Sequence, residues 1–107
     1  MINEEKLLSL LGLAQKAGKI VSGEVAVEKA VRNRSANLLL IAADSSSSTL
    51  KNYSDMAAYY SVPIFILCSK SRLGESIGKM NRAALAVTDI GFSNAILKLL
   101  PGENKKK

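Results

Sequence analysis

The chain has 107 residues, 48% of them hydrophobic and 22% charged, which fits one globular domain and excludes a disordered chain. Its Lys and Arg number 15 against 9 acids, a net charge of +6 that favours polyanionic partners over cationic substrates. It has no histidine and 1 cysteine, which removes His-based nucleophile pairs, His-ligated zinc, internal disulfides and two-cysteine metal knuckles.

In chain order, Asn3 reads as a helix cap, with Glu4 and Glu5 in the first turn, where the helix dipole favours acids. This acidic start is unlike a secretory signal, and no window approaches the roughly 18 apolar residues a membrane span needs, so the cytoplasm is expected. Leu7, Leu11 and Ala14 recur on one helical face, Lys16 falls in the last turn, and Gly18 is placed to stop the helix. A short strand, Lys19 to Val21, follows, and Ser22 reads as the cap of a second helix running to about Asn33. Residues 37–43 are a continuous apolar run, the mark of a strand covered on both faces. Asp44 and the serines at 45–48 predict a turn and cap, then a helix from about Thr49 to Tyr60. Val62 to Cys68 predicts a further buried strand, its proline at the start, where a missing N–H is tolerated. Ser71 is then expected to cap a short helix to about Gly78. Ala83 to Thr88 predicts the last strand and Phe92 to Leu100 the last helix. Pro101-Gly102 ends it, leaving residues 101–107 as a flexible basic tail and 1–100 as a single domain. This alternation predicts an α/β fold, a three-layer α/β/α sandwich on a four-stranded mixed or parallel sheet.

Most routes to catalysis close quickly. Leu13 to Ile20 resembles a phosphate-binding P-loop, but Leu13 and Ile20 stand where a small residue and a hydroxyl are required. Asp44 and Asp89 are isolated acids at strand ends, better read as caps or turn residues than as a metal pair. Cys68 reads as a small core residue, and Tyr53, Tyr59 and Tyr60 as core and rim packing on one helix. No catalytic residue, metal or cofactor is therefore expected.

Two basic, glycine-bearing turns remain. Ser22-Gly23 opens a helix whose free N–H groups and dipole suit a phosphate, and glycine lets a nucleic-acid backbone come close. Lys19 precedes this turn, and Lys29 and Arg32 share a face of the helix that follows. The second turn is Lys79-Met80-Asn81-Arg82, a loop in which cations flank an exposed methionine. There Met80 could lie against an unstacked base while its neighbours hold phosphates. Both turns lie outside strand ends, an arrangement suited to a folded RNA rather than a uniform duplex.

These segments resemble the kink-turn RNA-binding ribosomal protein family (the L-seven-Ae and L-thirty-e type) in its small bacterial branch. The resemblance is carried by Ser22-Gly23 with Lys29 six places after the glycine, by Leu38 to Asp44, and by Val62-Pro63 opening a strand. It continues through Ser69-Lys70, Leu73-Gly74 and Gly78 to the strand Ala83–Thr88, and covers roughly residues 5–100. It implies a sandwich that grips a sharply bent RNA internal loop containing tandem sheared G·A pairs. Gly23 and the neighbouring amides would meet the RNA backbone, Lys29 a phosphate, and Lys79 to Arg82 a flipped-out nucleotide. This chain departs from the family pattern at Val25 and Ala26, where the family carries a polar pair that reads guanine edges. Ala43 likewise replaces the acid commonly found before Asp44. Glu24 could face the RNA only if the helix were rotated, presenting a carboxylate to phosphates.

The expectation is thus a non-enzymatic RNA-binding protein, monomeric, with ribosomal or other kink-turn-like RNA and the ribosome as partners. Its RNA-facing residues would be Lys19, Ser22, Gly23, Glu24, Val25, Ala26, Lys29, Arg32, Lys79, Met80, Asn81 and Arg82. The alternatives are a protein–protein adaptor on the same fold, with Val25 and Ala26 in an apolar patch, and a small phosphate-handling enzyme using Asp44.

Overall fold

A computed structural model describes residues 4–100, so the expectations for Asn3 and for residues 101–107 lie outside the described residues. The elements are α1 (Glu4–Lys16), β1 (Ile20–Ser22), α2 (Glu24–Arg32), β2 (Leu38–Ala42), α3 (Ser47–Tyr60), β3 (Ile64–Leu67), α4 (Lys70–Ser76), β4 (Ala84–Val87) and α5 (Ile90–Leu97). The sheet order is β1-β4-β2-β3, with β4 antiparallel to both neighbours and β2 parallel to β3. The sheet is therefore mixed, and its one parallel pair is joined through α3 as a βαβ unit.

Alternation along the two central strands divides the core into two layers. Leu38, Leu40 and Ala42 of β2, with Leu85 and Val87 of β4, pack against Leu7 and Leu11 of α1, Leu73 of α4 and Ile96 of α5. Leu39 and Ile41, with Ala84 and Ala86, face the other way onto Val27 and Val31 of α2 and onto Tyr53 and Ala57 of α3. Every residue of β2 and β4 is buried, as expected of strands covered on both faces. This is the three-layer sandwich.

Several boundaries move for identifiable reasons. Ser22 is not the cap of α2: it ends β1, opposite Leu85, and Gly23 takes the capping position. Ser71 is not the cap of α4 either. Ser69 is, its hydroxyl accepting from the Arg72 N–H at 3.2 Å, so the helix starts earlier than the serine spacing implied. Asp89 caps α5 in the same way, accepting from Phe92 N–H at 2.8 Å and drawing Ile90 into the helix. Ser46 caps α3 through the Thr49 N–H. The strand at β3 is shorter than its apolar run and lies at the sheet edge, leaving Ile66 48% exposed rather than buried. Asp44 lies in a turn, but its carboxylate caps a different helix from the one that follows it. Its Oδ1 accepts from the Lys70 N–H at 2.9 Å, at the start of α4. Gly18 ends α1 with φ 75, as its position predicts.

Candidate functional site

The C-terminal end of β1 and the loop entering β4 are brought to one edge of the molecule by the β1–β4 pairing, which sets Ser22 opposite Leu85. At that edge Arg82 Nε donates to Ser22 Oγ at 3.3 Å, and the Gly23 N–H donates to the Ala84 carbonyl at 3.3 Å. The two basic turns, about 60 residues apart in sequence, are thus bonded to each other.

Gly23 is the reason the first turn is open. It adopts φ 90, ψ 150, a conformation that side-chain-bearing residues rarely enter, and a Cβ built there would meet nothing within 4 Å. The turn supplies no side-chain cap, and the first intrahelical bond runs from the Val27 N–H to the Gly23 carbonyl at 2.9 Å. The N–H groups of Glu24, Val25 and Ala26 therefore point out of the helix start, where the dipole is positive. All three residues are exposed, Val25 at 84%. Lys29 and Arg32 follow along the same outer surface, lining a shallow groove with Val25, Glu28 and Asn33. Arg32 lies 3.9 Å from Glu28, an exposed pair too loose to neutralise it.

The second turn is held by α4. The Lys79 N–H donates to the Gly74 carbonyl at 2.9 Å, and the Met80 carbonyl passes so close to Gly74 that a Cβ there would overlap it. Gly74 is therefore a residue of close approach, the position that lets the loop fold back over the helix. Beyond it, the Arg82 N–H donates to the Lys70 carbonyl at 3.0 Å, and Lys70 is tied in turn to Asp44. Arg82 Nη1 donates to the Asn81 carbonyl at 2.9 Å, which spreads the guanidinium between loop and strand. Met80 is left 83% exposed between Lys79 and Asn81, both exposed as well.

Most of the expected residues therefore share one edge: Ser22, Gly23, Glu24, Val25, Ala26, Lys79, Met80, Asn81 and Arg82, with Lys29 and Arg32 along α2. Lys19 does not join them. Its carbonyl accepts from both the N–H and the Oγ1 of Thr88, at 2.9 and 3.2 Å, at the opposite end of β1. Roughly 13 Å of extended chain separates it from Gly23. Spacing alone set Lys19 beside the first turn, although the three residues of β1 lie between them. It also missed Asp44 and Lys70 as the anchors of the second loop, and gave no physical role to Gly74. A glycine inside a short helix, where it costs about 1 kcal/mol against alanine, was the available signal.

Cys68 and Tyr53 have little to offer chemically. Burial, reinforced by Glu4, pushes the Cys68 thiol up to about 12, far from a reactive thiolate. Burial also pushes Tyr53 up to about 12, with Glu24 and Glu28 adding to it. Among the described residues no cluster of acids and cysteine could hold a metal, and no helix is long and apolar enough to cross a membrane.

The Bacillus halodurans protein of unknown function has this architecture, with a TM-score of 0.85 and 37% identity over 88% of this chain and 95% of that one. A Giardia lamblia 15.5kD RNA binding protein shares the fold at 20% identity, with a TM-score of 0.76 over 90% of this chain and 82% of its own. In sequence, the chain is 50% identical over 91 residues to RNA-binding protein YlxQ of Bacillus subtilis (strain 168), covering 85% of this chain and 91% of that protein. It is 36% identical over 100 residues to RNA-binding protein YlxQ of Enterococcus faecium, covering 94% and 96%. Residues 5–97 match the model of a family described as ribosomal protein L7Ae/L30e/S12e/Gadd45, and the chain belongs to that family.

Proposed function

We propose that this chain is an RNA-binding protein that acts without catalysis and grips a structured, kink-turn-like RNA at the Gly23 edge. The observation that carries the reading is the Arg82–Ser22 hydrogen bond, which holds a helix start with free N–H groups beside a cationic, methionine-bearing loop. The relatives named as RNA-binding proteins support it, as does the net charge of +6.

The physical division of labour follows from residue type. The amides of Glu24, Val25 and Ala26 receive one phosphate, and Lys29, Arg32, Lys79 and Arg82 neutralise others. Met80 covers an unstacked base with an apolar surface that is indifferent to base identity. Val25 and Ala26 carry no side-chain donor or acceptor, so guanine edges go unread and recognition rests on backbone shape. Affinity should then fall steeply with salt, the slope in log–log form growing by about 0.7–0.9 for each phosphate neutralised. The partner we propose is ribosomal or another structured RNA, bound by a cytoplasmic monomer.

The test is a titration of a kink-turn RNA, and of the same RNA with its G·A pairs changed to Watson–Crick pairs, at two salt concentrations. Tighter binding to the kink-turn supports shape recognition by the Gly23 amides. Equal, salt-steep binding to both would replace it with a general RNA clamp. No binding to either would favour the adaptor reading, for which the exposed Val25 and Met80 would serve as a contact patch.

A further inference from the structure

The opposite end of the sheet holds a recess that the RNA reading does not use. It has a volume of about 390 Å³ and lies where β2 and β3 begin and β4 hands over to α5. The five residues of β2 separate it from the Gly23 edge, roughly 16 Å along the strand.

Its lining is mixed, with Val62, Pro63 and Leu97 supplying apolar surface between polar residues. Ser93, one of the lining residues, is 1% exposed, and its hydroxyl is buried without a hydrogen-bond partner. A buried hydroxyl without a partner is costly, so a ligand group that reaches it through the recess is favoured. Asn37 and Asn94 also line the recess, and the side-chain amide of neither bonds another described residue. At the rim Arg34 takes a left-handed conformation, φ 66, just past the end of α2, and its guanidinium lies 5.4 Å from the centre of the Tyr60 ring. Arg34 makes no ion pair among the described residues, and no acid lines the recess.

We propose that this recess is a second binding site, for a single nucleotide unit. A cavity without acids and with one unpaired guanidinium selects a ligand with one anionic group, and a phosphate fits Arg34 through two parallel N–H bonds. The lining, with apolar surface, two amides that each donate and accept, and a buried hydroxyl, matches a flat nucleobase with donors and acceptors along its edge. The base enters against Val62 and Leu97, its edge meets Asn37, Asn94 and Ser93, and its phosphate stays at the rim on Arg34. The unit is either a free mononucleotide or an unpaired nucleotide of RNA. Only the second source rests on the RNA-binding function proposed above.

The experiment is an amide chemical-shift titration of the full chain with AMP, GMP, CMP and UMP in turn, then with a short single-stranded RNA. Shifts at Asn37, Ser93 and Asn94, with Gly23 and Met80 unmoved, support a free mononucleotide as ligand. Shifts at those residues with the oligonucleotide alone support an RNA nucleotide. Arg34→Gln should weaken either by about tenfold, the change expected on losing one charge-assisted contact. Asn94→Trp, an exposed substitution at the rim, should block both. No shift at this end with any ligand, or undiminished binding by both variants, overturns the site. Shifts confined to the Gly23 edge overturn it while leaving the RNA reading intact. Shifts at Asn37 and Asn94 in a chain that binds no kink-turn RNA overturn the RNA reading and leave the recess standing.

Discussion

The two ends of this sheet differ in where they keep their polar groups. At the Gly23 edge the donors project outward: backbone amides at the start of α2, and cations on a loop bonded across to it by Arg82. At the Asn37 end Arg34, Asn37, Ser93 and Asn94 are gathered around a recess. Gly23 leaves backbone without a side chain at the first edge, where another backbone can approach, and Gly74, buried beneath Met80, lets the second loop close over α4. At the second end the left-handed positions are filled by Arg34 and Ser61, whose side chains build a rim. A long polyanion suits the first geometry and a single small ligand the second.

The sharpest way to break this contrast is to restore bulk at Gly74. In Gly74→Ala the new Cβ would overlap the Met80 carbonyl and stand 3.2 Å from Asn81 Cα, contacts with backbone that no rotamer change relieves. We expect a loss of about 2–3 kcal/mol in urea unfolding, in the range of overpacked sites, with the loop at 79–82 displaced and RNA affinity lowered. A loss below about 0.5 kcal/mol would mean the loop yields freely and is no rigid part of the edge. Gly23→Ala should follow, at about 1–3 kcal/mol, and for a different cause. The space around it is open, so the penalty is only the backbone conformation. Its RNA affinity should drop by more than its stability suggests, because the methyl also stands between the amides and a phosphate.

Lys29→Ala should act on binding alone. Lys29 is exposed and on the outer surface of α2, so stability should stay within about 0.5 kcal/mol. The salt dependence of RNA binding should flatten by about 0.7–0.9 in log–log slope, one phosphate's share. The same substitution at Lys19 should leave that slope unchanged, since Lys19 sits at the far end of β1. Equal effects of the two lysines would show that charge is read over the whole surface and that the two ends do not differ for RNA.

How much of this was legible beforehand depends on which interactions set each feature. The central strands were readable, because burial on both faces demands unbroken apolar runs, and Leu38–Ala42 and Ala84–Val87 carry them. So was Gly18 as a stop, which follows from local chain chemistry. The caps were less so. Ser22, Ser69 and Ser71 are all acceptable capping residues, and pairing of Ser22 with Leu85, a contact between distant segments, took Ser22 into the strand. The exposure of Ile66 and the position of Lys19 depend on strand order in the same way, and hydropathy does not encode it. The recess was invisible for a further reason: Arg34 and Asn37, from the connection between α2 and β2, meet Ser93 and Asn94 of α5 only in the finished fold.

The smallest effect expected separates the two layers of the sandwich rather than its two ends. Cys68, packed against the layer of α1, α4 and α5, has its thiol raised by burial from 9.0 to about 12, and Tyr53, in the α2–α3 layer, its phenol raised from 10.0 to about 12. In both cases the fold favours the neutral form. Their contribution is therefore whole below the unfolded values and is lost as pH rises, from about 9 for the thiol and about 10 for the phenol, until both level off near 12. The urea midpoint should accordingly decline from about pH 9 upward. Cys68→Ala should delay the onset of that decline, and Tyr53→Phe should reduce its upper part. At neutral pH Tyr53→Phe should change stability by less than about 1 kcal/mol, because the hydroxyl it removes is buried and bonded to nothing described. If Tyr53→Phe instead costs several kcal/mol at neutral pH, the hydroxyl has a partner, and the α2–α3 layer is held by polar contacts as well as packing.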